Sequence, residues 1–127
     1  MPNHPVTETE QREFFPEAYV KRAVKILRLL SDENRLRIML YLAKEGRTYV
    51  SRMGEALELN QTTLSHHLSL LRNADLIVPI REGKNIYYEI NKPFWREMGL
   101  EFFQHLKKGP RVKFLDRFVI SMLQSMD

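Results

Sequence analysis

The chain has 127 residues, 43% of them hydrophobic and 28% charged, no cysteine, and a formal net charge of +4 at pH 7. This length suits one domain with a real core, and there is no run of the ~20 apolar residues needed to span a bilayer. Without cysteine, these residues cannot form disulfides, thiolate metal sites or a thiol catalyst.

The first 13 residues are predicted to form a flexible arm. They contain two prolines and no periodic apolar pattern. Because this arm is polar and acidic, it resembles neither a signal peptide nor a basic transit sequence, so we expect a cytoplasmic protein without membrane contact. Residues 14–127 are predicted to fold as one domain.

Two amphipathic helices are predicted next. Pro16 suits the first turn of the first helix. Asp32 lies in the sequence Ser-Asp-Glu-Asn, which supplies cap chemistry for the second helix, and Gly46 is a natural stop. The apolar residues at helical spacing are Tyr19, Val20, Ala23, Val24, Leu27 and Leu30 in the first helix, and Leu36, Met39, Leu40 and Ala43 in the second.

Residues 50–73 contain two short helical patterns joined by three residues, which is typical of a helix-turn-helix. The first helix is predicted from Ser51 to Leu57, with Gly54 leaving space for a close helix crossing. Its inward positions are predicted to be Met53, Ala56 and Leu57.

The second helix of this motif is predicted from Gln61 to Asn73, with Asn60 as its cap. It should bury Leu64, Leu68 and Leu71. At 100° per residue, its opposite face is small, polar and rich in hydrogen-bonding groups, as a helix that enters a DNA groove requires. That face consists of Thr62, Ser65, His66, Ser69 and Asn73.

Residues 76–90 are predicted to form a β-hairpin, the wing of a winged helix. Pro79 restricts the first strand to an edge or a bulge, and Gly83 can take positive φ in a turn over residues 81–85. Arg81 and Lys84 are expected at the tip, where they can contact a minor groove or phosphates. Residues 48–50 are a candidate third strand.

Residues 94–126 are predicted to be dimerisation helices. After Asn91 as a cap, one helix runs to about Lys108, a Gly-Pro pair interrupts it, and a second covers residues 111–126. The aromatic cluster of the first of these helices is expected in a dimer core rather than a ligand pocket. The cluster is Phe94, Trp95, Phe102 and Phe103.

Three stretches resemble the ArsR/SmtB family of bacterial and archaeal winged-helix repressors. Residues 30–38 (LSDENRLRI) are similar to a helix start in that family, residues 61–72 (QTTLSHHLSLLR) to its recognition helix, and residues 83–88 (GKNIYY) to its wing. The resemblance implies a homodimer whose terminal helices pack together and whose two recognition helices meet a palindromic operator. It also implies a repressor that is released by an inducer.

The positions that bind metal in this family differ here. Tyr49 and Ser51 stand where metal-sensing members have a thiolate box, and neither is a soft-metal ligand. At the family's second metal site the matching residues are Lys92, Phe94, His105 and Lys108, which retain one ligand of four. We therefore predict no metal site and no cofactor. An organic inducer and no inducer are both left open.

The fold expected is mainly α with a small β-hairpin wing, and the function expected is a dimeric, sequence-specific regulator that binds double-stranded DNA. The alternatives are a winged-helix protein-interaction module or a nonspecific architectural DNA binder. Catalysis is not expected, because no carboxylate is near Ser65 and His66 in sequence to orient them. The predicted DNA contacts are Gln61, Thr62, Thr63, Ser65, His66, Ser69, Arg81 and Lys84.

Overall fold

The structure, a computed structural model, describes residues 5–7 and 16–104, together with Arg117, Ser121, Gln124 and Ser125. Most of the predicted arm (residues 1–13) and of the predicted final helix (residues 111–126) lies outside this part of the chain. Within residues 16–104 the elements are α1 (Glu17–Leu30), α2 (Glu33–Glu45), β1 (Thr48–Tyr49), α3 (Val50–Leu57), α4 (Gln61–Asn73), β2 (Ile77–Glu82), β3 (Asn85–Ile90) and α5 (Lys92–Gln104).

Local side-chain chemistry sets the ends of α2 and α4, as predicted. The Asp32 carboxylate accepts the Arg35 amide at 3.0 Å, and the Asn60 side chain accepts the Thr63 amide at 2.8 Å. Each contact satisfies one of the amides that a helix start leaves without a partner. Gly46 ends α2 with φ of +77°, a conformation that glycine adopts without strain.

The helix-turn-helix is formed by α3 and α4, which pack closely at Gly54. A Cβ atom on Gly54 would lie 3.0 Å from the Leu59 carbonyl oxygen and 3.6 Å from Leu64 Cδ2. The close crossing predicted from this glycine is therefore confirmed. Glu58 ends α3 in the left-handed region, with φ of 55° and ψ of 43°.

The wing is an antiparallel sheet of three strands in the order β1-β3-β2. Thr48 in β1 lies opposite Tyr88 in β3, which confirms the short third strand, although Val50 already begins α3. Pro79 lies in the edge strand β2, where a missing amide costs no ladder hydrogen bond on the solvent side.

The hairpin turn is shorter than predicted. β2 continues to Glu82, so the connection consists of Gly83 and Lys84 alone. Gly83 has φ of +61°, which suits a tight two-residue turn. The prediction that Arg81 lies at the tip is therefore wrong. It pairs with Ile86 inside the ladder, because a two-residue turn lets strand pairing continue to the last residue before it.

The core lies between α2, α3 and α4 and is closed by α1, the base of the wing and α5. Trp95 Nε1–H donates to the Leu76 carbonyl at 3.1 Å, and the Tyr19 hydroxyl donates to the Met98 carbonyl at 3.0 Å, so α5 is fixed to both the wing and α1. The buried apolar residues are Ile26, Ile38, Met39, Leu42, Met53, Leu64, Leu68, Leu71, Leu76, Ile77 and Met98.

Helices α1 and α2 turn only part of their predicted apolar sets to this core: Tyr19, Ala23 and Leu30 pack against it, and Met39 is buried. Ile26 and Ile38 are buried, whereas Leu27 is 67% exposed and Leu40 is 61% exposed. Both helices carry apolar residues on more than one face, so periodicity alone could not decide which face meets the core. The predicted apolar positions that prove exposed are Val20, Val24, Leu27, Leu36, Leu40 and Ala43.

One of the three inward positions predicted for α3 is also wrong. Ala56 is exposed, while Met53 is fully buried and Leu57 half-buried. A helix of eight residues has room for one buried stripe, and residues four apart share it.

In the part of the chain that the structure describes, no helix is long and apolar enough to cross a membrane.

Candidate nucleic-acid interface

Helix α4 presents a polar face on a firmly packed base. Its inner residues Leu64, Leu68 and Leu71 are at most 3% exposed, so the helix is held against α2 and α3. Side chains on the outer face are therefore displayed in a fixed direction. The predicted contacts that lie exposed on this helix are Gln61, Thr62, Ser65, His66 and Ser69.

Thr63 differs from the other predicted contacts. It is half-buried, and its backbone amide is already bonded to the Asn60 side chain. The amide of Thr63 is thus used in capping the helix.

The tip of the wing lies close to the start of α4. Gln61 and Lys84 line one open cavity of about 560 Å³, which Leu64 and Gly54 also line. The fold therefore brings together two predicted contacts that are 23 residues apart in the sequence. Arg81, also exposed, lies opposite Ile86, which lines the same cavity.

Arg47 contacts the strands of the wing, and no sequence pattern had singled it out. Its guanidinium forms an ion pair with Glu82 and approaches Glu89 to 3.9 Å. These carboxylates belong to the two paired strands β2 and β3, so one cation offsets the acidic charge of the hairpin. The partners are 35 and 42 residues away, and no local pattern could have indicated them.

His67 is a polar residue on the inner side of α4, where it is buried. Its Nδ1 lies 3.2 Å from Nη1 of Arg35 in α2, a partner that the sequence did not indicate. Burial lowers the pKa of His67; the nearby Asp32 carboxylate opposes this shift, while Arg35 and His66 add to it. The pKa of Asp32 is also lowered, chiefly because its carboxylate accepts the Arg35 amide.

The positions matching the family's metal sites are placed as follows. Tyr49 and Ser51 line the cavity between α4 and the wing, and the Tyr49 ring packs edge-on against Tyr87 with centroids 5.9 Å apart. Lys92 and Phe94 begin α5, while His105 and Lys108 lie outside the described residues. Across residues 16–104 no three His, Asp or Glu side chains gather as metal ligands would.

A second exposed surface is apolar and reaches the base of the wing at Ile90. Together α1, α2 and α5 form an open groove of about 620 Å³ that is lined by Leu27, Leu40, Trp95 and Phe102. Val20 and Val24 extend the exposed apolar surface along α1, and an ion pair of 2.7 Å between Arg22 and Glu101 joins α1 to α5. The side chain of Phe103, the fourth aromatic residue predicted in this region, lies outside the described part of the chain.

Comparison with known proteins identifies the architecture. Residues 32–78 match the family described as "Bacterial regulatory protein, arsR family". The CadC homolog of Staphylococcus aureus, a cadmium resistance transcriptional regulatory protein, is 31% identical over 84 residues, which are 66% of this chain and 69% of that protein. The solved structure of reduced HlyU from Vibrio cholerae is 28% identical, with a TM-score of 0.58, and the match covers 74% of this chain and 97% of that one.

A further solved structure shows the fold. It is the winged helix-turn-helix DNA-binding domain of Mb0332 from Mycobacterium bovis, 24% identical with a TM-score of 0.56, and the match covers 85% of this chain and 93% of that one. The chain spans 56–69% of the length of four curated relatives, all named as regulators or repressors of arsenic or cadmium resistance. The chain thus has a winged helix-turn-helix fold and belongs to the arsR family of bacterial regulatory proteins.

Proposed function

We propose that this chain is a homodimeric, sequence-specific DNA-binding regulator that represses transcription from a palindromic operator. The observation that supports this most strongly is the outer face of α4, where small polar side chains project from a helix whose other side is buried. A helix presented in this way fits the major groove of DNA and can contact base edges.

Within this interface the residues have different roles. His66, Ser65, Thr62 and Ser69 contact base edges or the phosphates beside them, because they lie on the outer face of α4. Gln61 and Thr63 lie in the first turn of α4, where the helix dipole favours contacts with DNA phosphates. Lys84 and Arg81, which belong to the wing, contact the phosphate backbone of the DNA.

The apolar groove and the exposed face of α1 support a homodimer. Val20, Val24 and Leu27 are 39–67% exposed, and Phe102 in α5 is 49% exposed. A two-fold contact would remove both copies of this surface from water and hold two recognition helices at a fixed separation. Such a pair reads two half-sites that are related by the same symmetry.

The relatives named as arsenical resistance operon repressors support repression as the mode of regulation. The signal differs from that of a thiolate metal sensor, because this chain has no cysteine. Regulation by an organic inducer and regulation without any inducer fit these observations equally well. A regulator of this kind acts in the cytoplasm, where the chromosome is, and it needs no catalytic group or cofactor.

The test is to mix the purified chain with sheared genomic DNA, recover bound fragments at about 0.15 M salt and sequence them. We expect one enriched palindrome, which a variant with Thr62, Ser65 and Ser69 changed to alanine no longer enriches. Salt-sensitive binding with no enriched site would indicate an architectural DNA binder instead. Absence of DNA binding would overturn the proposal and favour a protein-interaction module.

A further inference from the structure

The inner side of α4 contains a histidine that the proposed DNA contacts do not use. His67 is 8% exposed and lies beside the fully buried Leu64 and Leu71. A polar ring in such a place is costly unless its nitrogens are hydrogen-bonded. Its Nδ1 is 3.2 Å from Arg35 Nη1.

The chemistry of this contact fixes the proton on the imidazole. A guanidinium has only donors, so Nδ1 must accept, and the neutral ring then carries its proton on Nε2. An imidazolium has a donor at both nitrogens and cannot accept from Arg35. The contact therefore exists only while His67 is neutral.

Arg35 is held in place by other contacts. Its Nε donates to the Leu29 carbonyl at 2.7 Å, in the last turn of α1, and its amide donates to Asp32 at 3.0 Å. Its side chain is 17% exposed. One residue of α2 thus joins the end of α1, which carries the proposed dimer surface, to the inner side of the recognition helix.

We propose that Arg35 is a positioning residue for DNA binding: it sets the angle of α4 relative to α1 by donating to His67, and protonation of His67 breaks this link. The inference rests on the proposed DNA-binding function. It adds that operator affinity depends on whether His67, which lies inside the protein and away from the DNA, is neutral or protonated.

The charges around His67 determine when the link breaks. The groups that face it are Asp32 and Arg35 at the start of α2 and His66 on α4; from α1 comes the Leu29 carbonyl that holds Arg35. Burial, Arg35 and His66 together outweigh Asp32, so folding lowers the pKa of His67. The unfolded chain then takes up the proton first, below about pH 6.5, and the stability given by this contact is lost as the pH falls through the lower pKa of the folded protein.

The first measurement is made without DNA. Long-range ¹H–¹⁵N spectra of the full chain at pH 7.5 should show His67 as the Nε2–H tautomer with Nδ1 as an acceptor. On acidification through the His67 titration, which the same spectra follow, the α4 amide signals should move together with it. In His67→Gln, whose side-chain oxygen can still accept from Arg35 and does not titrate, they should stay. A His67 that is Nδ1–H or already cationic at pH 7.5 would overturn the inference.

The second measurement is operator affinity from pH 7.5 down to the pH at which the spectra show His67 protonated. Relative to His67→Gln, the wild-type chain should lose about tenfold in affinity at the acid end. Identical profiles for the two proteins would contradict a positioning role.

Arg35→Gln provides the complementary test. It removes the charge between α1 and α4, so it should weaken operator binding already at pH 7.5 and flatten the acid loss. Its circular dichroism spectrum shows whether the fold is kept. If no DNA is bound by any protein, the proposed function fails; the spectra of the free chain then decide whether Arg35 positions α4.

Discussion

Helices α1 and α4 have similar lengths, 14 and 13 residues, and each buries one side in the same core, but only α1 also exposes a row of large apolar side chains. The outer side of α4 is polar, with hydroxyl, amide and imidazole groups. The outer side of α1 includes Val20, Val24 and Leu27, of which Leu27 is 67% exposed. Because the inner packing is alike, the difference lies in the outer chemistry, which suits DNA on α4 and a second apolar surface on α1 in the function proposed above.

The two surfaces depend on each other in the proposed dimer. Base contacts through one α4 are few, and a second copy on the same DNA makes the combined binding much stronger. The apolar surface of α1 and α5 therefore contributes to DNA affinity without contacting DNA. Mutations on the two helices should then differ in kind as well as in size.

The largest effect is expected from Leu27→Asp on α1. A carboxylate in the apolar contact costs desolvation on both copies, so the dimer should dissociate. Operator affinity should fall by about 100-fold or more, since the half-sites are then bound independently. Analytical ultracentrifugation and gel-shift titration measure the two quantities.

The matched control for that change is Lys25→Asp, which places the same carboxylate on the charged side of α1. It should keep the mass of a dimer. A dimeric Leu27→Asp protein would show that the apolar face of α1 is not the contact between copies.

The next largest effect is expected from His66→Ala on α4. Loss of a base contact should weaken the operator complex by about 5- to 150-fold while leaving binding to random DNA nearly unchanged. Asn73→Ala, at the far end of the same helix, is the control, because recognition helices use their N-terminal residues. Equal affinities for the His66 variant and the wild-type protein would remove His66 from the reading surface.

Lys84→Ala should have a smaller effect of a different kind. A phosphate contact carries no sequence information, so affinity should fall alike for operator and random DNA. The slope of log affinity against log salt should decrease by about one. A loss confined to the operator would mean that the wing tip reads sequence.

The smallest effect is expected from Arg47→Gln. It leaves Glu82 and Glu89 without their cation near the DNA, so binding should weaken by about twofold to fivefold at low salt and less at high salt. The double variant Arg47→Gln with Glu82→Gln should recover most of the affinity. If it does not, Arg47 acts by contacting DNA directly.

The position of α4 and the direction of its faces could be predicted because their signals are local. Asn60 caps α4, Gly54 permits the close crossing, and the alternation of Leu64 and Leu68 with polar residues gives the outer face of the helix. Each of these signals operates within a few residues, where backbone geometry leaves few alternatives. The bounds of α4 were predicted correctly for this reason.

The length of the wing turn and the exposed apolar face of α1 and α2 were harder to predict from the sequence. Arg81 was expected at the tip because a glycine-containing stretch allows turns of several lengths, and pairing between strands selects one of them. Leu27 and Leu40 were expected on the same apolar faces as buried residues. Only the neighbouring helices decide which apolar stripe of a helix is covered and which is left exposed.

The sequence alone therefore determined the order of the elements, their caps, the recognition helix and the wing, since these follow from contacts between residues close along the chain. The tertiary structure decided which groups meet across longer distances. Arg35 reaches His67 over 32 residues and Arg47 reaches Glu82 over 35. Such pairs carry no periodic signal, because either partner alone is an ordinary polar residue until folding brings the two together.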